Sequence, residues 1–221
     1  MNTVAKSLPL ESWTQSVGEE VANSISHGIG LVGAAIASPI LILAAFHHGD
    51  VPFFIGTIVF ALTMLLVYAA STLYHSWSQT HTKSLLQLID HAAIFLLIAG
   101  TYTPFALGPL RNGGGLVMLG IVWALALFGV IMKATRGVTR HRRLAMTLYL
   151  GTGWIGLTII RPLALAIPLS AIVWLVAGGI AYTAGTLFFA NERLRYGHFI
   201  WHLFVLAGTS CHFAAVFICA I

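Results

Sequence analysis

The chain has 221 residues, 58% of them hydrophobic and 8% charged, with a mean hydropathy of +0.92, which excludes a soluble globular domain and reads as an integral membrane protein. The net charge of +5 does not point to nucleic acid, because the basic residues gather at the ends of apolar stretches, where they orient a chain in a bilayer. Cys211 and Cys219 lie in one predicted helix, roughly 12 Å apart along its axis, too far to bridge. Neither a disulfide framework nor a cysteine zinc site is expected.

Residues 1–24 lack a basic leader followed by an apolar core and carry Glu11, Glu19 and Glu20. No cleavable signal peptide is expected, and this segment is expected to stay cytoplasmic. Residues 25–221 read as one transmembrane domain. Seven apolar stretches of bilayer length are predicted near Ser26–His47, Val51–Trp77, Leu85–Leu107, Gly115–Met132, Leu144–Ile160, Ile167–Phe189 and Gly197–Ala220. The fold class is therefore all-α, a seven-helix multi-pass membrane protein. Arg161-Pro162 is the least marked division, and fusing the spans on either side would leave six helices. With the amino terminus inside and the carboxyl terminus outside, Lys6, Lys83, Lys133, Arg136, Arg140, Arg142, Arg143, Arg193 and Arg195 are internal, leaving Arg111 and Arg161 external. Nine against two obeys the positive-inside rule.

Polar residues interrupt the apolar spans in a few places. Glu20, Asn23 and His27 recur on one helical face at the start of span one, a row that either reaches a polar cavity or forms a solvated interfacial stripe. Ser71 and His75 share a face of span two. His75 could equally mark the span's interfacial end, since Ser76 and Trp77 follow. Asp90, early in span three, is expensive in a membrane and by default suggests function, although Lys83 is an alternative partner. His91 points about 100° away and reads as packing or support. Thr101, Thr103 and Pro104 predict a kink, the hydroxyls covering the carbonyl that proline leaves unbonded. Arg136, Arg140, Arg142 and Arg143 fix topology and can meet anionic headgroups. His198 and His202, four apart, stand one above the other on span seven, a spacing that suits two ligands of one metal ion without requiring one. His212 reads as hydrogen-bonded inside the bundle, and His47, His48, His81 and His141 as loop residues.

The positive-inside topology puts His75, Asp90 and His198 at one depth near the cytoplasmic face, with His202 about one turn, roughly 6 Å, deeper. If spans two, three and seven pack together, His75, His198 and His202 supply three neutral nitrogens to one divalent ion. Three protein ligands with an open fourth position is the pattern of catalytic zinc, and Zn2+ suits imidazole better than magnesium or calcium does. Asp90 and Ser71 then become candidate catalytic residues, Asp90 to orient water or accept its proton and Ser71 to donate to a developing oxyanion.

These motifs, Glu20-x-x-Asn23-x-x-x-His27, Ser71-Thr72-Leu73-Tyr74-His75, Asp90-His91 with Gly100-Thr101-Tyr102-Thr103-Pro104-Phe105, and His198-Phe199-Ile200-Trp201-His202 with Cys211-His212-Phe213, resemble the bacterial hemolysin III family. That family lies within the progestin and adipoQ receptors and the superfamily that includes alkaline ceramidases. The resemblance runs from about Glu20 to the carboxyl end. It implies seven helices, a cytoplasmic amino terminus in the bacterial cytoplasmic membrane, zinc at His75, His198 and His202, and Ser71 and Asp90 lining the site. It also implies zinc-dependent hydrolysis of a lipid amide or ester, with a membrane lipid as substrate or ligand. Two other classes stay open: a zinc-stabilised sensor of membrane state without catalysis, and a hemolysin-like pore or transporter, which the shared depth of the ionisable residues disfavours.

Overall fold

The computed structural model describes residues 15–78, 81–138, 142–191 and 193–221, and these contain helices and no strands. Seven helical segments are long and apolar enough to span a membrane. The helices are α1 (Val17–His48), α2 (Val51–Ser76), α3 (His81–Leu107), α4 (Leu116–Arg136), α5 (Arg142–Gly153), α6 (Ile160–Ala166), α7 (Leu169–Ala190) and α8 (Gly197–Ala220). A π-turn, Arg111–Gly115, leads into α4, and a 3-10 turn, Ile155–Ile159, joins α5 to α6 within one span.

Each boundary has a local cause. A capping box starts α1: the Ser16 hydroxyl accepts from Glu19 N while the Glu19 carboxylate accepts from Ser16 N. Helix α1 thus begins at Val17, well before the expected Ser26, and takes Glu20 and Asn23 into its first turns. It ends at Gly49, whose left-handed φ of 84° costs glycine nothing. Asp50 then caps α2 by accepting from Phe53 N at 3.3 Å. Arg111 stands 3.6 Å from Asp50, so the α1–α2 and α3–α4 connections share one end of the bundle.

Three expectations are corrected here. His47 and His48 occupy the last turn of α1 and His81 opens α3, so none is a loop residue; His141, like Arg140, lies outside the described residues. The division between the fifth and sixth spans, expected near Arg161-Pro162, falls later, at Ile167-Pro168, and span five carries a separate break at Trp154–Ile159. Pro162 is tolerated because it sits in the first turn of α6, where its missing N–H has no helical acceptor. In α3, which continues through Pro104 to Leu107, Thr101 and Thr103 donate to Leu97 O and Ala99 O at 2.9 and 2.8 Å. Neither reaches Gly100 O, the carbonyl that Pro104 cannot bond.

The bundle turns its polar residues inward. On α1, Asn23, Ser26 and His27 are buried while Val21, Ile25, Ile29 and Val32 are exposed, the reverse of a soluble helix and the arrangement that lipid demands. Lipid is as apolar as leucine, so helices associate through close packing and polar contacts. A Cβ on Gly56 would lie 2.6 Å from the Pro104 Cα, and one on Gly129 would meet the Phe95 ring; these glycines let α2 approach α3 and α3 approach α4. Helix α1 packs between α2 and α8, and α3 touches both α2 and α8. That neighbourhood gathers the start of α1, the end of α2 and the start of α8 at one end of the bundle.

Candidate metal centre

His75 ends α2, and His198 and His202 lie on the first turns of α8. Each offers one ligand nitrogen, and the three nitrogens lie within 4.8 Å of one another. The His198 and His202 rings are 4.6 Å apart between centroids, and His75 stands 5.1 Å from each. The cluster could hold a metal ion. Among the described residues no other histidine, cysteine or carboxylate joins it.

Two of the imidazoles are oriented from behind by α1. His75 Nδ1 lies 2.7 Å from Glu20 Oε2, which leaves Nε2 as the outward donor. His202 Nδ1 lies 3.1 Å from Ser26 Oγ and 3.2 Å from Asn23 O. A partner that holds one ring nitrogen sets which nitrogen faces a metal. Consistent with that fit, the Nε2 atoms of His75 and His198 are buried and have no hydrogen-bond partner. Buried polar atoms are rarely left so, and a cation shared with His202 explains both.

The Glu20 carboxylate is divided. Its other oxygen lies 2.7 Å from Lys83 Nζ, and Lys83 also donates to Trp77 O at 3.1 Å. Lys83 is a buried residue of α3, so its partner is Glu20 and not Asp90, contrary to the alternative raised from sequence. Asp90 is also buried and interacts with Ser71 and His75, although the Ser71 hydroxyl makes no hydrogen bond of regular geometry. His91 supports packing: its Nδ1 donates to Gln87 O at 2.9 Å, its carbonyl accepts from Tyr149 Oη at 3.0 Å, and its 3.6 Å approach to Asp90 is too long for a hydrogen bond.

The row Glu20, Asn23, His27 is therefore no solvated stripe: Glu20 holds His75, the Asn23 backbone carbonyl lies against His202 while its side-chain amide donates to Gln15 Oε1 at 2.6 Å, and His27 stacks on His202 at 3.6 Å between centroids and 8° between planes. Ser26 was not singled out from sequence, although its place three residues after Asn23 puts it on that face. The alternative pairing of Lys83 with Asp90 fails because nothing in the order of residues shows Glu20 of α1 reaching both His75 on α2 and Lys83 on α3. His212 is hydrogen-bonded inside the bundle, to Leu175 O at 3.2 Å, and both cysteines are free.

An apolar cavity of about 160 Å³ lies between α3, the broken span five, α7 and α8, with Tyr149, Trp201 and Val205 in its wall. Trp201 precedes His202 on α8, but none of the three histidines lines the cavity.

The family described as haemolysin-III related matches residues 15–213. The chain is 41% identical over 206 residues to "Hemolysin-3 homolog" of Bacillus subtilis (strain 168), covering 93% of this chain and 94% of that protein. It is 42% identical over 203 residues to "Hemolysin-3" of Bacillus cereus, covering 92% of each. More distantly it is 25% identical over 210 residues to "Monocyte to macrophage differentiation factor" of Homo sapiens, covering 90% of this chain and 83% of that one. All of the site residues named above fall inside the matched region.

Proposed function

This chain belongs to the haemolysin-III related family, and from that premise and the geometry of its histidine cluster we propose that it is a multi-pass membrane protein whose His75, His198 and His202 hold zinc near the cytoplasmic face to hydrolyse a lipid amide or ester. The observation that carries the reading is the triad itself: three converging imidazoles, two held from behind by α1, with two buried Nε2 atoms left without a partner.

Zinc supplies, when bound by three protein ligands, a Lewis acid that polarises a carbonyl and acidifies water. Glu20 holds His75 with Nε2 forward, and Ser26 and the Asn23 carbonyl do the same for His202. Asp90 is placed beside His75 and Ser71 to take a proton from water and return it to the leaving group. The Ser71 hydroxyl, beside Asp90, would donate to oxygen as charge develops there. The apolar cavity between α3, span five, α7 and α8 suits an acyl chain arriving from the bilayer.

A second reading, a metal-stabilised sensor of membrane state, draws on one observation: the ligands come from α2 and α8, which are held together mainly through α1, so an ion there would pin the bundle. The test separating the two is Asp90→Asn in the purified, metal-loaded protein, assayed for fatty acid release from a panel of amide and ester lipids, with elemental analysis alongside. Hydrolysis requires that Asp90→Asn keep its metal and lose turnover, whereas His202→Ala loses both. Background release from wild type, equal to that of His202→Ala, would sink the hydrolase.

A further inference from the structure

Helix α5 begins, and α7 ends, at the end of the bundle that carries the histidine cluster, and the two helices barely touch. Between them lies a groove of about 620 Å³ that includes Arg142, Arg143, Thr147, Asn191 and Arg193, with Leu150 at its inner limit. Leu150 also lines the apolar cavity between α3, span five, α7 and α8. Leu150 thus stands between the three guanidinium groups and the apolar chamber. We propose that this seam is a binding site for an anionic phospholipid, its phosphate seated by Arg142, Arg143 and Arg193 and one acyl chain passing Leu150 into the chamber.

Three features give the seam this preference. Arg142 is held in place, donating to the Phe189 carbonyl and lying over the Phe189 ring at 4.4 Å, so part of the guanidinium's ordering is already accomplished in the free protein. Arg143 and Arg193 are exposed and enter no ion pair among the described residues; Glu192, next in sequence, lies outside them. Planar guanidinium groups match phosphate oxygens with paired hydrogen bonds. Depth agrees as well. Leu150 is eight residues beyond Arg142 on α5, about 12 Å nearer the membrane centre at 1.5 Å per residue. A headgroup at the arginines therefore puts its chain, not its glycerol, against Leu150. The apolar continuation favours a lipid over free phosphate, and the site stands whether or not the bound lipid is cleaved.

Spin-label spectroscopy of the full chain in phosphatidylcholine vesicles tests this, with phosphatidylglycerol or phosphatidylcholine carrying a label on its acyl chain. The expected result is a motionally restricted population selective for phosphatidylglycerol by about tenfold. The selectivity should be lost in R143Q/R193Q and kept in R111Q/R136Q, which removes equal charge elsewhere. Excess inorganic phosphate at constant ionic strength should leave it unchanged. Equal restriction of the two lipids, an equal loss in the two double variants, or displacement by inorganic phosphate would each overturn the proposal, the last assigning the groove to a free anion.

Discussion

At the scale of single residues the site depends on one carboxylate with two duties. Glu20 Oε2 orients His75 and Oε1 neutralises a buried Lys83. Replacing it with glutamine keeps the size and removes the charge that raises the basicity of a ligating imidazole. Glu20→Gln is therefore expected to weaken metal binding by about 10- to 100-fold, read by competition with a chromogenic chelator. The same variant leaves Lys83 charged, buried and without its counterion. A loss of stability follows for that reason, and Glu20→Gln combined with Lys83→Met should recover much of it while metal affinity stays low. Ser26 acts more weakly: Ser26→Ala still leaves His202 Nδ1 the Asn23 carbonyl at 3.2 Å, so a smaller loss of affinity than in Glu20→Gln is expected in the same titration.

At the scale of helices, α1 acts as the staple of the site. Its adjacent acids grip different neighbours: Glu20 reaches α2 and α3, while Glu19 accepts from Tyr196 N at 2.8 Å, just before α8. Tyr196 has a left-handed φ of 59°, a conformation unfavourable for a residue other than glycine, and the Glu19 bond helps to hold it there. The packing of α2 on α3 is set by small residues rather than by charge. Gly56→Ala would drive a Cβ into the Pro104 backbone and force the helices apart. It is expected to destabilise the protein by about 1–3 kcal/mol and lower its melting temperature. Gly33→Ala, where nothing lies within 4 Å, should be neutral or slightly stabilising. If both variants melted alike, close approach of α2 and α3 would not be what their packing requires.

At the scale of the molecule, two predictions concern how the bundle is placed and closed. Seven spans with the basic residues gathered at one end predict a cytoplasmic amino terminus and an external Ile221. Alkaline phosphatase fused after Ile221 should be active and a fluorescent protein fused there dark in bacterial cells; the opposite pattern would invert the topology. An ion shared by α2 and α8 binds the folded bundle only. Saturating zinc at a hundredfold excess over its Kd should therefore stabilise the fold by about 2.7 kcal/mol relative to the chelated protein, visible as a raised melting temperature that His75→Ala abolishes.

Much of this was written locally along the chain. Apolar runs of bilayer length located all seven spans because, in lipid, each segment must satisfy its backbone within itself. His198 and His202 announced a shared face through helical periodicity alone, and the first turns of α1 carried the polar row that holds the site. The tertiary structure decided the rest. It alone shows that Glu20 serves His75 and Lys83, that Ser26 supports His202, and that span five breaks at Trp154–Ile159 with an arginine-lined seam beside it. Hydropathy says which residues avoid water but not which helix lies beside which. In a bilayer that choice falls to glycine-lined contacts and a few buried polar pairs between segments far apart in sequence.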